Sequence, residues 1–210
     1  MGRAMPSAVH PLPLEIGVPA GRVVVRQGEP SPGPLVVAQG TLYVSTVDDQ
    51  GRVLGLDVVG PGDLVGELPP EPARATARAL ASCRLAPASD RTVTTLFIER
   101  ERRLSSFACQ LAWLDVPGRV RHRLLDLARR FGRPVVGGAV IALGLSQEDI
   151  AHLCGTSRES ANRALRALAA EGQIQVVGRG RYLVATDQGS LEPFDPLLPS
   201  CNITKLQVLQ

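Results

Sequence analysis

The segment Leu145–Ile174, LSQEDIAHLCGTSRESANRALRALAAEGQI, constrains the fold more than any other part of the chain. Ser146 with Asp149 three residues on is a capping-box-like start for a short helix. Ile150 and Leu153 or Cys154 point inward, and Ala151 is small where a second helix must cross closely. Gly155 supplies the positive φ of a tight turn. Ser157 then caps a second helix whose buried stripe is Ala161, Leu165 and Leu168. Spacings of this kind let two helices cross steeply through a short turn. On the other face, the first two turns of the second helix carry Arg158, Glu159, Asn162 and Arg163. A helical hairpin without nucleic-acid contact is the plain alternative. The glutamate argues against it: among cations facing phosphates it makes poor electrostatic sense, whereas in a DNA major groove it accepts from cytosine N4 while arginine donates to guanine O6/N7.

Upstream, residues 16–98 show a different rhythm. Aliphatic runs at Val23–Val25, Leu35–Ala38, Leu42–Thr46, Val53–Val59 and Leu64–Val65 alternate with glycines, which suits an all-β barrel or sandwich. Asp48-Asp49-Gln50-Gly51 predicts a hairpin turn. From about Asp90 to Arg130 the apolar period becomes helical, with one stripe at Leu104, Phe107, Leu111 and Leu114 and a second at Val120, Leu124, Leu127 and Phe131. Pro117 is tolerated only in a first turn, so Asp115 is read as an N-cap and the pattern breaks there into two helices. The 3-4-3 spacing of the first stripe is the kind that two parallel helices interdigitate, which makes it the expected homodimer seam. A Gly/Pro-rich link (132–138) follows, then the two short helices and a hairpin, Ile174–Val177 and Tyr182–Ala185, turning at Gly178-Arg179-Gly180. The domain reading is a tail over 1–15, a β region over 16–98, a dimerisation helix and hinge over 99–116, a helix-turn-helix unit over 117–186 and a second tail over 187–210.

Composition excludes more than it assigns. With 44% hydrophobic and 20% charged residues, the chain reads as a folded globular protein, and a net charge of +3 permits nucleic-acid binding without indicating it. No apolar run reaches a membrane span, and the first residues lack a signal-peptide core. Cys83, Cys109, Cys154 and Cys201 are scattered, which argues against a zinc or iron–sulfur centre and for reduced thiols in the cytoplasm. Cys109 or Cys154 as an enzyme nucleophile would need a histidine–acid pair that the sequence does not place nearby, so no enzymatic activity is expected.

The stretch Ser157-Arg158-Glu159-Ser160-Ala161-Asn162-Arg163 resembles the S-R-E-x-x-x-R recognition helix of the Crp/Fnr family. Leu111–Arg119 (LAWLDVPGR) resembles the end of that family's dimerisation helix and its hinge, and Val58–Leu68 (VVGPGDLVGEL) its glycine-rich roll. The resemblance implies an α+β fold: a cyclic-nucleotide-binding-like β-roll, a long dimerisation helix and a C-terminal winged helix-turn-helix. It further implies a homodimeric transcriptional regulator that binds palindromic double-stranded DNA and works with RNA polymerase. The rival class is an effector-binding or protein-interaction module that no longer binds DNA. The implied DNA contacts are Ser157, Arg158, Glu159, Ser160, Asn162 and Arg163, with Arg179 and Arg181 on the wing. The implied effector set is Gly66, Glu67, Leu68, Arg74 and Ser105, with cAMP or 2-oxoglutarate as candidate effectors. The cassette departs from the family pattern: it is several residues short, and Ala73 stands where the phosphate arginine belongs, with Arg74 one place late.

Overall fold

The computed structural model describes residues 15–68 and 71–185; Cys201, residues 1–14 of the tail assigned to 1–15 and the tail assigned to 187–210 lie outside the described residues. Short strands open the chain: β1 (Ile16–Val18), β2 (Val23–Val25), β3 (Leu35–Gln39), β4 (Leu42–Val47), β5 (Val53–Val59), β6 (Leu64–Val65), β7 (Thr76–Ala79) and β8 (Cys83–Pro87). They pair into two antiparallel sheets of order β1-β8-β3-β6 and β2-β7-β4-β5. Side chains alternate across each strand. Leu35 and Val37 of β3, Ala77 and Ala79 of β7, and Cys83 and Leu85 of β8 therefore enter one shared core between the sheets. The predicted turn closes the β4–β5 hairpin, with the Asp48 carboxylate accepting from the amides of Gln50 and Arg52, each at 2.9 Å.

Helix α1 (Asp90–Trp113) begins where the sequence period turns helical, so the last residues of the 16–98 region are its first turns. It stops where Leu114 turns extended (φ −100°, ψ 142°). Asp115 caps α2 (Val116–Phe131), accepting from the Gly118 amide at 2.9 Å, with Pro117 in the first turn. The expected Gly/Pro link is instead a hairpin, β9 (Arg133–Val135) and β10 (Gly138–Ile141). Pro134 is accommodated because β9 is an edge strand. After α3 (Gln147–Leu153) and α4 (Arg158–Ala170), β11 (Ile174–Gly178) and β12 (Arg181–Ala185) complete a third sheet of order β11-β12-β10-β9.

The C-terminal unit is docked on the β-roll. Tyr43 and Val58 of the roll share an apolar cluster with Leu124 and Leu127 of α2, Leu153 of α3 and Leu165 of α4. Gly55 lets α3 come close, since a Cβ there would sit 2.7 Å from the Leu153 amide nitrogen. Beside this contact lies a group of partly buried charges. Arg130 of α2 reaches Asp57 (2.8 Å) and Asp63 (3.0 Å), and Arg103 of α1 reaches the same two aspartates at 2.9 and 3.0 Å. Burial alone would lower the pKa of Arg130, but the carboxylates of Asp57, Asp126 and Asp63 more than offset it and hold the guanidinium above its ordinary range. A second, more exposed pair joins Arg78 of β7 to Asp149 of α3 at 2.7 Å.

These two anchors are expected to differ in strength. Arg130→Met strands two carboxylates against one arginine and should cost about 3 kcal/mol in urea unfolding. Arg78→Met opens a half-exposed pair and should cost less than about 1 kcal/mol. Equal losses would mean that the Asp57–Asp63 group is no stronger than a surface pair.

Candidate nucleic-acid interface

The helix-turn-helix is set by local hydrogen bonds. Ser146 caps α3: its Oγ accepts from the Asp149 amide at 3.0 Å, while the Asp149 carboxylate accepts from the Ser146 amide at 2.9 Å. The chain turns at Gly155 (φ +56°), where a Cβ would also strike the Leu111 side chain. Ser157 then caps α4 by accepting from the Ser160 amide at 3.2 Å. Ala161, Ala164, Leu165 and Leu168 are buried, which leaves Arg158, Glu159, Arg163 and Arg166 exposed on the other side. Hydrogen bonding to the backbone amide at the helix start and to Ser157 keeps the Glu159 carboxyl below its usual range, so Glu159 is presented as an anion and acceptor.

The other expected contact residues are tied into the scaffold. Ser160 is half-buried and its Oγ accepts from Arg163 Nη2 at 3.0 Å, which orients that guanidinium. Asn162 is also half-buried, and its Nδ2 donates to Gln147 Oε1 at 3.3 Å, bridging the two helices. Gln147 is not singled out by the sequence reading; its place in the first turn of α3 is the available signal. Arg179 and Arg181 are exposed at the β11–β12 turn, where Gly178 and Gly180 take positive φ.

In the β-roll a cavity of about 180 Å³ is lined by Val25, Val44, Leu56, Val59, Leu64 and Leu104, with Asp57, Gly66, Glu67, Arg74 and Arg100 as its polar positions. Of the expected effector set, Gly66, Glu67 and Arg74 line it. Leu68 is 53% exposed, and Ser105 is exposed and donates to Glu101 at 2.6 Å; neither lines the cavity. Arg100, absent from the expected set, donates to Glu67 Oε2 and to the Gly66 carbonyl, both at 2.9 Å. Its signal is a helical one, because Arg100, Arg103 and Phe107 recur at spacings of three and four on one face.

That face also changes the reading of the dimer seam. Phe107 is 4% exposed, with the Arg123 guanidinium 4.5 Å from its ring centroid, and Leu111 packs at Gly155. Leu104 lines the roll cavity and Leu114 is half-buried at the hinge. The stripe of Leu104, Phe107, Leu111 and Leu114 thus meets this chain's own domains at three of its four positions. The side of α1 left open carries Ile98, Ser105, Ala108, Cys109, Ala112 and Trp113, the last 81% exposed.

Among the described residues no group of His, Cys, Asp and Glu is arranged to hold a metal, and no helix is long and apolar enough to cross a membrane. Burial pushes the Cys154 thiol up to about 11, away from the thiolate that a nucleophile requires.

Comparison with known proteins agrees with this architecture. Residues 15–99 match the cyclic nucleotide-binding domain, and residues 118–194 match the Crp-like helix-turn-helix domain. The chain is 31% identical over 194 residues to a CRP-like cAMP-activated global transcriptional regulator of Mycobacterium tuberculosis, covering 83% of this chain and 87% of that one. It is 26% identical over 184 residues to the cAMP-activated global transcriptional regulator CRP of Escherichia coli, covering 79% and 86%. A CRP/FNR-family transcriptional regulator of Thermus thermophilus shares the fold with a TM-score of 0.72 at 24% identity, over 85% of this chain and 96% of that one. With a Crp-like helix-turn-helix domain behind a cyclic nucleotide-binding domain, the chain belongs to the Crp/Fnr family of DNA-binding transcriptional regulators.

Proposed function

We propose that the protein acts in the bacterial cytoplasm as a homodimer on a palindromic operator, reading bases with Arg158, Glu159 and Arg163. The observation that carries this reading is the exposed, serine-capped first half of α4, where two arginines flank one ionised carboxylate. Ser157 and Ser160 lie near phosphates, Asn162 braces α4 against Gln147, and Arg179 and Arg181 grip the backbone from the wing. The family resemblance implies a GTG-containing half-site and contact with RNA polymerase. The two half-sites lie about one helical turn apart, ~34 Å, because both recognition helices must meet the same face of the duplex. A small molecule in the roll cavity gates binding, a reading supported by the M. tuberculosis and E. coli relatives, which are cAMP-activated.

The dimer forms along the open side of α1. Ile98, Ser105, Ala108 and Ala112 follow one another at seven, three and four residues, and the small side chains allow two helices to approach closely. Contact through Phe107 and Leu111 would first require the chain's own C-terminal unit to leave them.

Two experiments test this reading. Arg158→Ala or Arg163→Ala should cost about 1–3 kcal/mol per half-site, with the loss confined to one base position in a panel of mutated operators. Arg179→Ala or Arg181→Ala should weaken every sequence alike and shallow the salt dependence by about one ion per contact. Uniform loss from Arg158→Ala would make it a phosphate contact. For the dimer, Ala108→Glu should sediment as a monomer that retains the native circular dichroism spectrum. A dimeric Ala108→Glu would move the seam off this face.

A further inference from the structure

The cyclic-nucleotide-binding roll of this chain lacks the parts that hold a cyclic phosphate. Such a group needs backbone amides aimed into the cavity and a guanidinium close by. Between β6 and β7 the amides of three residues are already committed: Glu67 donates to Ser31 Oγ (2.9 Å), Glu71 to the Leu68 carbonyl (3.2 Å) and Ala73 to the Glu29 carbonyl (2.9 Å). No helix forms there among the described residues, so no helix N-terminus turns its amides toward the cavity. Ala73, at the position of the phosphate arginine, is a 3% exposed methyl in the roll core. Glu67, the group that would meet a ribose hydroxyl, is held by Arg100.

Size and charge indicate what the cavity does suit. Its volume of about 180 Å³ is close to the ~150 Å³ of an apolar cavity that accepts benzene. The walls are aliphatic. Of the two acids in the lining, Asp57 is matched by Arg103 and Arg130, and Glu67 by Arg100. Arg74 at the rim has no acidic partner among the described residues, so the cavity presents one unmatched positive charge. A neutral guest leaves that charge unused, whereas a dianion brings a second charge into apolar surroundings without a partner.

We infer that the roll cavity excludes cyclic nucleotides and takes a small monocarboxylate with an apolar body of about one six-membered ring, its carboxylate held by Arg74. This rests on the reading that the roll holds an effector.

Titration calorimetry on the full chain tests it, with benzoate and hexanoate as probes, benzamide as the neutral isostere, and cAMP, cGMP and 2-oxoglutarate as competitors. Benzoate or hexanoate should bind saturably, and benzamide roughly tenfold more weakly or not at all. Arg74→Gln should lose about tenfold in affinity for the acid, while Arg74→Lys keeps most of it. Both variants should melt like the parent, because Arg74 is exposed. Saturable binding of cAMP or cGMP would overturn the exclusion and leave effector gating intact. Equal affinity for benzoate and benzamide would remove Arg74 from the site. Silence from both acids at millimolar concentration would overturn the ligand class. If every probe is silent and the unliganded protein binds its operator at full strength, the effector reading falls with it.

Discussion

Asp57 and Asp63, bridged twice over by Arg103 and Arg130, are the point at which the three parts of the molecule meet. Each arginine spans both aspartates and each aspartate takes both arginines, at 2.8–3.0 Å. Buried charges stabilise a fold only when their remaining valences are filled. Here Asp57 also accepts from the Val58 amide and Asp63 from the Gly60 amide, both at 2.8 Å, while Arg130 donates to the Val58 carbonyl at 2.7 Å. One compact group therefore fixes the roll through β5 and its following loop, the long helix through Arg103, and the DNA-binding unit through α2. Because Asp57 is also part of the cavity wall, the cavity and α2 are not electrostatically independent.

The attachment of α3 to the roll is of another kind. Gly55 and Gly155 allow close approach, and Arg78–Asp149 supplies one half-exposed ion pair. The same contact buries Tyr43 Oη and Arg123 Nη2 without hydrogen-bond partners. Orphaned groups of this sort cost roughly 1–3 kcal/mol each, against which the apolar burial of Leu153 and Val58 must work. Helix α2 is thus held to the roll by several close ion pairs, and α3 by apolar contact with a single pair.

What the sequence disclosed follows from how local each determinant is. The caps at Ser146, Asp115 and Ser157 and the turn at Gly155 depend on neighbours within four residues, and all four lie where the spacing places them. The stripe of Leu104, Phe107, Leu111 and Leu114 is equally visible, but periodicity tells which side of a helix is covered and not what covers it. The covering groups, Arg123 and Gly155, stand 16 and 44 residues away from Phe107 and Leu111. The β9–β10 hairpin is hidden for another reason. Two strands of three and four residues with a proline and three glycines nearby have no alternation to read, and only pairing with β12 makes them a sheet. At the candidate DNA site, residue types are legible, while the bracing of Asn162 by Gln147 and of Arg163 by Ser160 requires geometry.

The charge chemistry explains why the arginine-rich stretches 100–103 and 129–133 are hard to interpret from sequence. Lys205 is the only lysine in the chain, so every other side-chain cation of this kind is an arginine, whether it faces water, DNA or the core. A surface needs only positive charge, and lysine would serve. Bridging two carboxylates at once needs a planar fork with several donors, which lysine's single ammonium on a flexible stem does not offer. Arg130 is used in this second way, donating to Asp57 and Asp63; Arg103 lies within 3.0 Å of the same two carboxylates, Arg100 donates to the Glu67 carboxylate and the Gly66 carbonyl, and the three side chains are only 19–26% exposed. Arg158, Arg163, Arg179 and Arg181 carry the same fork outward, where the matching two-acceptor partner is a guanine edge or a phosphate. The forked geometry that lets four charges close on one another inside the molecule is therefore the geometry its exposed arginines present at the surface, and burial alone separates the two settings.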